Sequence, residues 1–221
     1  MDVKAAIEAR RSIRKFRSEP VPRELLQEIL SDTRWSPSWG NTQSWKIHIV
    51  LGEPLETFRE ANRRQLLDGV SRSTELPMPE SWPETLKRRY VGVGKCVLSA
   101  LGIARDDHAG RLAYRADMAS LFFAPCLALF CADARMPVGY AMMDCGIAVQ
   151  TFCLLCESRG LGTCILAASI AHPALLRGLL DIPADQTIAV GVAVGYPDLD
   201  ADVNRFERER APLDEIVSWR E

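Results

Sequence analysis

Tyr140-Ala-Met-Met-Asp-Cys-Gly-Ile-Ala-Val-Gln-Thr-Phe-Cys-Leu-Leu-Cys-Glu-Ser-Arg159 is the stretch on which the fold turns. It contains no proline, and Gly160 stops it, so it reads as one helix of roughly 30 Å at ~1.5 Å per residue. A helix on a protein surface shows a polar face. This one is apolar nearly all round, which predicts a place at the centre of the fold or in a subunit interface. Asp144 and Gln150 interrupt its apolar run, which falls short of the ~20 residues needed to span a bilayer, so no transmembrane segment is expected.

The flanks of this helix alternate strands with helices. Upstream, Ala124-Pro125 introduces an apolar strand from Cys126 to Ala132. Downstream come a short strand at Thr163 to Leu166, a helix from Pro173 to Leu180, and a β-branched strand from Thr187 to Val194 closed by Gly195-Tyr-Pro. Nearer the N-terminus, Asp2 caps a helix whose Val3, Ala6 and Ile7 share a face. Pro22 opens a second helix with the stripe Leu25, Leu26, Ile29 and Leu30. Trp45, Ile47, Ile49 and Leu51 form the apolar face of a strand that ends at Gly52. Residues 53 to 67 are helical in pattern, 68 to 83 form a polar, proline-broken excursion or lid, and 84 to about 123 read as one amphipathic helical stretch. The expected architecture is α+β, a central mixed sheet flanked by helices, in a single domain over 1–221. Residues 197–221 form a charged terminal arm whose Ile216, Val217 and Trp219 should dock on something.

The chain has 221 residues, 48% of them hydrophobic and 25% charged, which is the balance of a packed globular protein rather than a disordered one. A formal net charge of −2 provides no global field for nucleic acid or an anionic membrane. Any anion site must therefore be local. Seven cysteines, an odd number set mostly in apolar runs, point to a reducing cytoplasm rather than to a disulfide framework.

Three segments carry candidate chemistry. Arg10, Arg11, Arg14, Lys15 and Arg17 fall within eight residues around Ser12, with no acid among them. Converging guanidinium forks and a hydroxyl suit a phosphate monoester, whereas arginines in a last helical turn would merely complement the helix dipole. Arg208 and Arg210 are spaced to project to one side of an extended segment, although solvated arginines in a charged tail are the commoner case. The loop Ser36 to Trp45 gathers hydroxyl, amide and indole groups that suit the edge of a flavin or a base, or that simply bond their own backbone. Cys153-Leu-Leu-Cys156 lies inside the apolar helix, where buried thiols are the better reading than zinc or redox chemistry. Gly92-Val-Gly94-Lys95 lacks the remainder of a phosphate loop, and Gly160-Leu-Gly162 follows a helix, not a strand.

Arg10-Arg-Ser-Ile-Arg14-Lys-Phe, Pro37-Ser-Trp-Gly-Asn41-Thr-Gln43-Ser-Trp45, Gly160-Leu-Gly-Thr163, Ile188 to Pro197 and Arg208-Glu-Arg210-Ala-Pro212-Leu, in that order, together resemble the nitroreductase family of FMN-dependent oxidoreductases. Trp82-Pro83, Arg88-Arg89, Leu101 to Asp106 and Phe122-Phe-Ala-Pro125 look most like its nitrobenzoate-reductase branch. The resemblance implies an intertwined homodimer with FMN at the interface and NAD(P)H as hydride donor. It assigns Arg10, Arg11, Ser12, Arg14, Arg208 and Arg210 to the phosphate, ribityl chain and pyrimidine side of FMN. Pro37, Ser38, Trp39, Asn41 and Gln43 would come from the other subunit, and Ile165, Leu166, Ala167 and Ala168 would line the flavin N5 edge. Trp39, Phe122 and Phe123 are candidates for the wall of the acceptor pocket. Ile165 and Ser44 depart from the family, which often has proline there.

What this implies is ping-pong reduction of a nitroaromatic or quinone-like acceptor, with the chemistry residing in the flavin and no protein acid or base required. Two other readings remain open at this point. One is a flavin-fragmenting enzyme that uses oxygen, and the other is a flavin-binding module without turnover.

Overall fold

The computed structural model describes residues 1–221. Its centre is a four-stranded sheet of β1 (Trp45–Leu51), β2 (Cys126–Asp133), β3 (Gly162–Leu166) and β4 (Gln186–Gly195), in the spatial order β1-β2-β4-β3. Every neighbouring pair is antiparallel. The mixed character expected of the sheet is confined to one parallel bridge, Ser12 to Thr163.

β2 is an uninterrupted apolar run because it is covered on both faces. Cys126, Ala128, Phe130 and Ala132 face one core, shared with Leu26 and Ile29 of α2 (Arg23–Thr33) and with Phe152 and Cys156 of α6 (Val138–Ser158). Leu127, Leu129 and Cys131 face the other, shared with Leu55 and Phe58 of α3 (Gly52–Leu67) and Leu176 of α7 (Pro173–Leu180). The result is a helix–sheet–helix sandwich. The apolar face read for β1 packs as expected, with Trp45, Ile47, Ile49 and Leu51 all on the α6 side.

α6 is only half enclosed by its own chain. Ala141, Asp144, Cys145, Ala148 and Phe152 are buried, while Tyr140, Met143, Gly146 and Gln150 are exposed. The central position expected of it is borne out, and one flank is left open.

Two expectations are corrected. First, α1 (Val3–Ala9) ends before the basic run, so the arginines do not sit in a last helical turn. The run is extended instead, with Ile13 N–H bonded to Thr163 O at 2.9 Å and Arg17 N–H to Tyr196 O at 2.8 Å. A Cβ on Gly162 would stand 2.5 Å from Ile13 Cγ1, so this approach requires glycine. Second, residues 84–123 are not one helix. α4 (Glu84–Ala100) stops before Gly102, whose φ is +67°, and Asp107 caps α5 (His108–Ala119) by accepting Gly110 N–H at 2.8 Å.

Beyond α5, Leu121, Phe122 and Phe123 all have φ between +53° and +57°, at a cost of roughly 1–2 kcal/mol per residue. α3 holds both ends of this turn. Asn62 Nδ2 donates to Ala119 O at 2.7 Å, and Arg59 Nη1 donates to Ala124 O at 3.0 Å. The excursion 68–83 has no helix or strand, yet it is strapped down, because Glu75 accepts Ile188 N–H at 2.8 Å and pairs with Arg177 at 2.7 Å. In the terminal arm, Leu213, Ile216 and Trp219 remain exposed.

Candidate functional site: an arginine cleft and the cavities beyond it

The two ends of the chain meet. Arg10, Arg11, Ser12 and Arg14 line a cavity of about 690 Å³ together with Phe206 to Pro212 and with Arg88 and Arg89 of α4. Asn204, which is 1% exposed, joins the two segments. Its Oδ1 accepts Arg14 N–H at 2.7 Å, and its Nδ2 donates to Lys15 O and Asp198 O, each at 2.8 Å. Nothing in the sequence singles out Asn204, since its three partners lie far away or in the irregular arm. Arg11 donates to Phe206 O, and Arg208 donates to Arg10 O and Glu8 O. The guanidinium groups of Arg11 and Arg14 each lie 5.8 Å from the Phe206 ring centre.

None of Arg10, Arg11, Arg14, Arg208 or Arg210 forms an ion pair with a carboxylate, and Arg89 is the one cleft arginine that does, to Glu215. Burial, and then the neighbouring charge of Arg14, lowers the pKa of Arg11. Arg208 is lowered by burial and then by Arg11, Arg210 and Arg10. Glu157 nearby is pushed up by burial in spite of those arginines. Glu207, Glu209 and Glu215 also line the cleft, but Arg10, Arg11, Arg14, Arg208 and Arg210 stand close together without a paired carboxylate, which favours holding a multiply charged anion.

A second cavity of about 750 Å³ lies between α4 and α5 and shares Arg14 and Val93 with the first. A third, of about 50 Å³, shares Arg115 and Met118 with the second and reaches Asn62, Ala168 and His172. The three hollows thus share lining residues in turn, and of the four candidates at the end of β3 Ala168 alone lines one of them. There Ile165 and Ala167 are exposed, Leu166 and Ala168 are buried, and Ala168 O accepts from Asn62 Nδ2 at 3.1 Å.

The other sequence candidates lie elsewhere. Pro37, Ser38, Trp39, Asn41 and Gln43 line none of these cavities. Their loop sits on the open flank of α6, where the Trp39 and Tyr140 rings are 5.3 Å apart and Trp39 N–H bonds to Asp144 Oδ1 at 3.0 Å. Asp144 is fully buried. Gly40, Asn41 and Gln43 all have positive φ, and Gln43 N–H donates to Ser38 Oγ at 2.9 Å. Much of the polar content of this loop therefore does bond within the loop.

Phe122 is in the core, its ring 5.9 Å from that of Tyr114, so it backs a cavity wall without forming it, and Phe123 points outward beneath the Arg59 guanidinium at 5.9 Å. Cys153 and Cys156 are buried with raised pKa values, as an inert pair should be. No group of three or more metal-ligating side chains occurs.

A sequence profile described as the nitroreductase family matches residues 7–196. A 4-nitrobenzoate reductase of Pseudomonas putida is 31% identical over 217 residues, covering 95% of this chain and 92% of its own. A chloronitrobenzene nitroreductase of Comamonas testosteroni is also 31% identical, over 96% of this chain and 94% of its own. Among solved structures, an FMN- and NADPH-dependent nitroreductase from a Sphingopyxis strain superposes with a TM-score of 0.96 at 31% identity, covering all of both chains. An FMN-dependent nitroreductase of Mycobacterium smegmatis, solved with NADPH, gives a TM-score of 0.93 at 26% identity over 99% of this chain and 97% of its own.

Proposed function

The chain belongs to the nitroreductase family, and from that premise we propose that it is an FMN-dependent enzyme passing reducing equivalents from NAD(P)H to a nitroaromatic or quinone-like acceptor. The observation that carries this reading is the arginine cleft, in which Arg10, Arg11, Arg14, Arg208 and Arg210 have no carboxylate partner and which shares Arg14 with a largely apolar cavity. A flavin mononucleotide has the same polarity, a dianionic phosphate at one end and a flat aromatic system at the other.

Arg10, Arg11, Ser12, Arg208 and Arg210 hold the phosphate, with Asn204 fixing the two segments that carry them. Arg14, at the junction of the two cavities, supplies fixed positive charge to the pyrimidine side, and the backbone of Ile165 to Ala168 lines the far end. The loop Pro37–Gln43 serves the flavin site of a second copy in a homodimer, held ready by Asp144. The exposed flank of α6 and the undocked Ile216 and Trp219 of the arm support that assembly. FMN, when bound, supplies the two-electron chemistry. The chain's task is to bind, orient and exclude water, so no acid or base is assigned. Nicotinamide and acceptor use one site in turn, giving parallel double-reciprocal plots; intersecting lines refute the ping-pong order. Seven free cysteines accord with a reducing cytoplasm, where we place the protein.

The test is one anaerobic cuvette of FMN-reconstituted protein. Bleaching of the flavin spectrum by NADH or NADPH, followed by recovery on adding a nitroaromatic, is the expected result. A spectrum that stays oxidised refutes the reductase reading and leaves a binding module. Breakdown of FMN in air would favour the fragmentation reading.

A further inference from the structure

The arginine cleft has three walls, and they are not equally secured. The extended run 10–14 and the tail 206–212 are cross-linked, since Asn204 holds Arg14 N–H, Arg11 donates to Phe206 O, and Arg208 donates to Arg10 O and Glu8 O. The third wall is one face of α4, made of Arg88, Arg89, Gly92, Val93 and Cys96. Val97 is the one buried residue of this helix, and residues 84–91 are exposed throughout. A single side-chain hydrogen bond joins α4 to the rest of the chain, from Arg89 to Glu215 in the turn Leu213–Glu215 of the terminal arm. The rings of Trp82 and Tyr90, stacked at 6.0 Å, tie the first turns of α4 only to the segment that leads into them.

Between the ion pair at Arg89 and the anchor at Val97 stand Gly92 and Gly94. Neither has a positive φ, and a Cβ on either would meet nothing within 4 Å. Packing does not require glycine at these positions, whereas glycine loosens the interior of a helix. We propose that residues 84–91 are a hinged cover on the arginine cleft, latched shut by Arg89 and Glu215, pivoting at Gly92 and Gly94, and opened to let flavin enter or leave. The passage of flavin rests on the reading above; the latch itself does not.

The latch is therefore read first in the apoprotein, through half-buried Cys96, which lines the covered cleft. A neutral thiol reagent, 4,4′-dithiodipyridine, should label Cys96 about two- to fivefold faster in Glu215→Gln than in the wild type, as an ion pair between half-exposed side chains supports. Added salt should speed the wild type toward the variant and leave the variant unmoved, because it is the ion pair that is screened. Equal labelling rates overturn the latch. In the flavin-loaded protein, Glu215→Gln should raise the association and release rates of riboflavin by the same factor, with Kd within about twofold of the wild type. Gly94→Ala should slow both rates, and unchanged rates overturn the hinge. If Glu215 merely competes with phosphate for Arg89, the variant instead binds FMN more tightly and releases it more slowly, which overturns the cover. Faster Cys96 labelling in a variant whose parent binds no flavin keeps the cover and refutes the flavin reading.

Discussion

Replacing Arg210 with alanine separates the binding role of the arginine cleft from any structural role. Arg210 is exposed, and its guanidinium makes one hydrogen bond, to the adjacent Glu209 O at 2.8 Å. Arg208, by contrast, ties the tail to Glu8 and Arg10. Truncating Arg210 therefore removes a charge without loosening the fold, and it relieves the repulsion that Arg208 experiences from it. The apoprotein should melt at an unchanged or slightly higher temperature. Loss of one charge-assisted phosphate bond corresponds to about 1.5–3 kcal/mol, or about 10- to 150-fold in Kd.

The assay is flavin fluorescence on titrating apoprotein with FMN and, in parallel, with riboflavin, which has the same ring and ribityl chain but no phosphate. FMN affinity should fall by that factor, while riboflavin affinity stays within about twofold. The salt dependence of FMN binding should also become shallower. Equal losses for the two ligands, or no loss for FMN, would place Arg210 outside a phosphate site and refute the reasoning.

Four further outcomes are expected. Asp144→Ala strands Trp39 N–H and should lower stability by about 1–3 kcal/mol in urea unfolding, with Asp144→Asn far milder because it keeps an acceptor; equal effects would deny the carboxylate this anchoring role. A Cβ at Gly191 would collide with Ser169 Oγ and stand 2.9 Å from Leu127 Cδ1, so Gly191→Ala should cost about 1–3 kcal/mol, and a wild-type midpoint would refute the packing. Burial pushes the thiols of Cys126 and Cys131 up to about 12 and those of Cys145 and Cys164 to about 11. Native protein should therefore expose one fast thiol, half-buried Cys96, to a disulfide reagent at pH 8. The unfolded chain releases these protons near the ordinary value of 9.0 while the native state retains them, so stability should fall as pH rises from about 9 to 11–12. A flat profile there would contradict the burial.

Local patterns settled a good deal of this protein. Alternation gave β1 its apolar face, Pro173 to Leu180 is a helix at the bounds its periodicity implies, and the apolar run from Cys126 to Ala132 is a strand that ends one residue later. These are short-range effects, because a period of 2 or 3.6 is imposed by the backbone within each element. The density of charge in the basic run was likewise plain, and with it the chance of a phosphate site. Only the tertiary structure decided that the run is extended and not helical, because its hydrogen-bond partners, Thr163 and Tyr196, lie about 150 to 180 residues away. The same is true of the meeting of Arg10 with Arg208, cemented by an asparagine that no motif marks. The left-handed turn at Leu121 to Phe123 persists because Asn62 and Arg59 hold its ends from another helix. A sequence window shows which side of an element is apolar, but what that side meets depends on chain closure over long separations, and there the site is made.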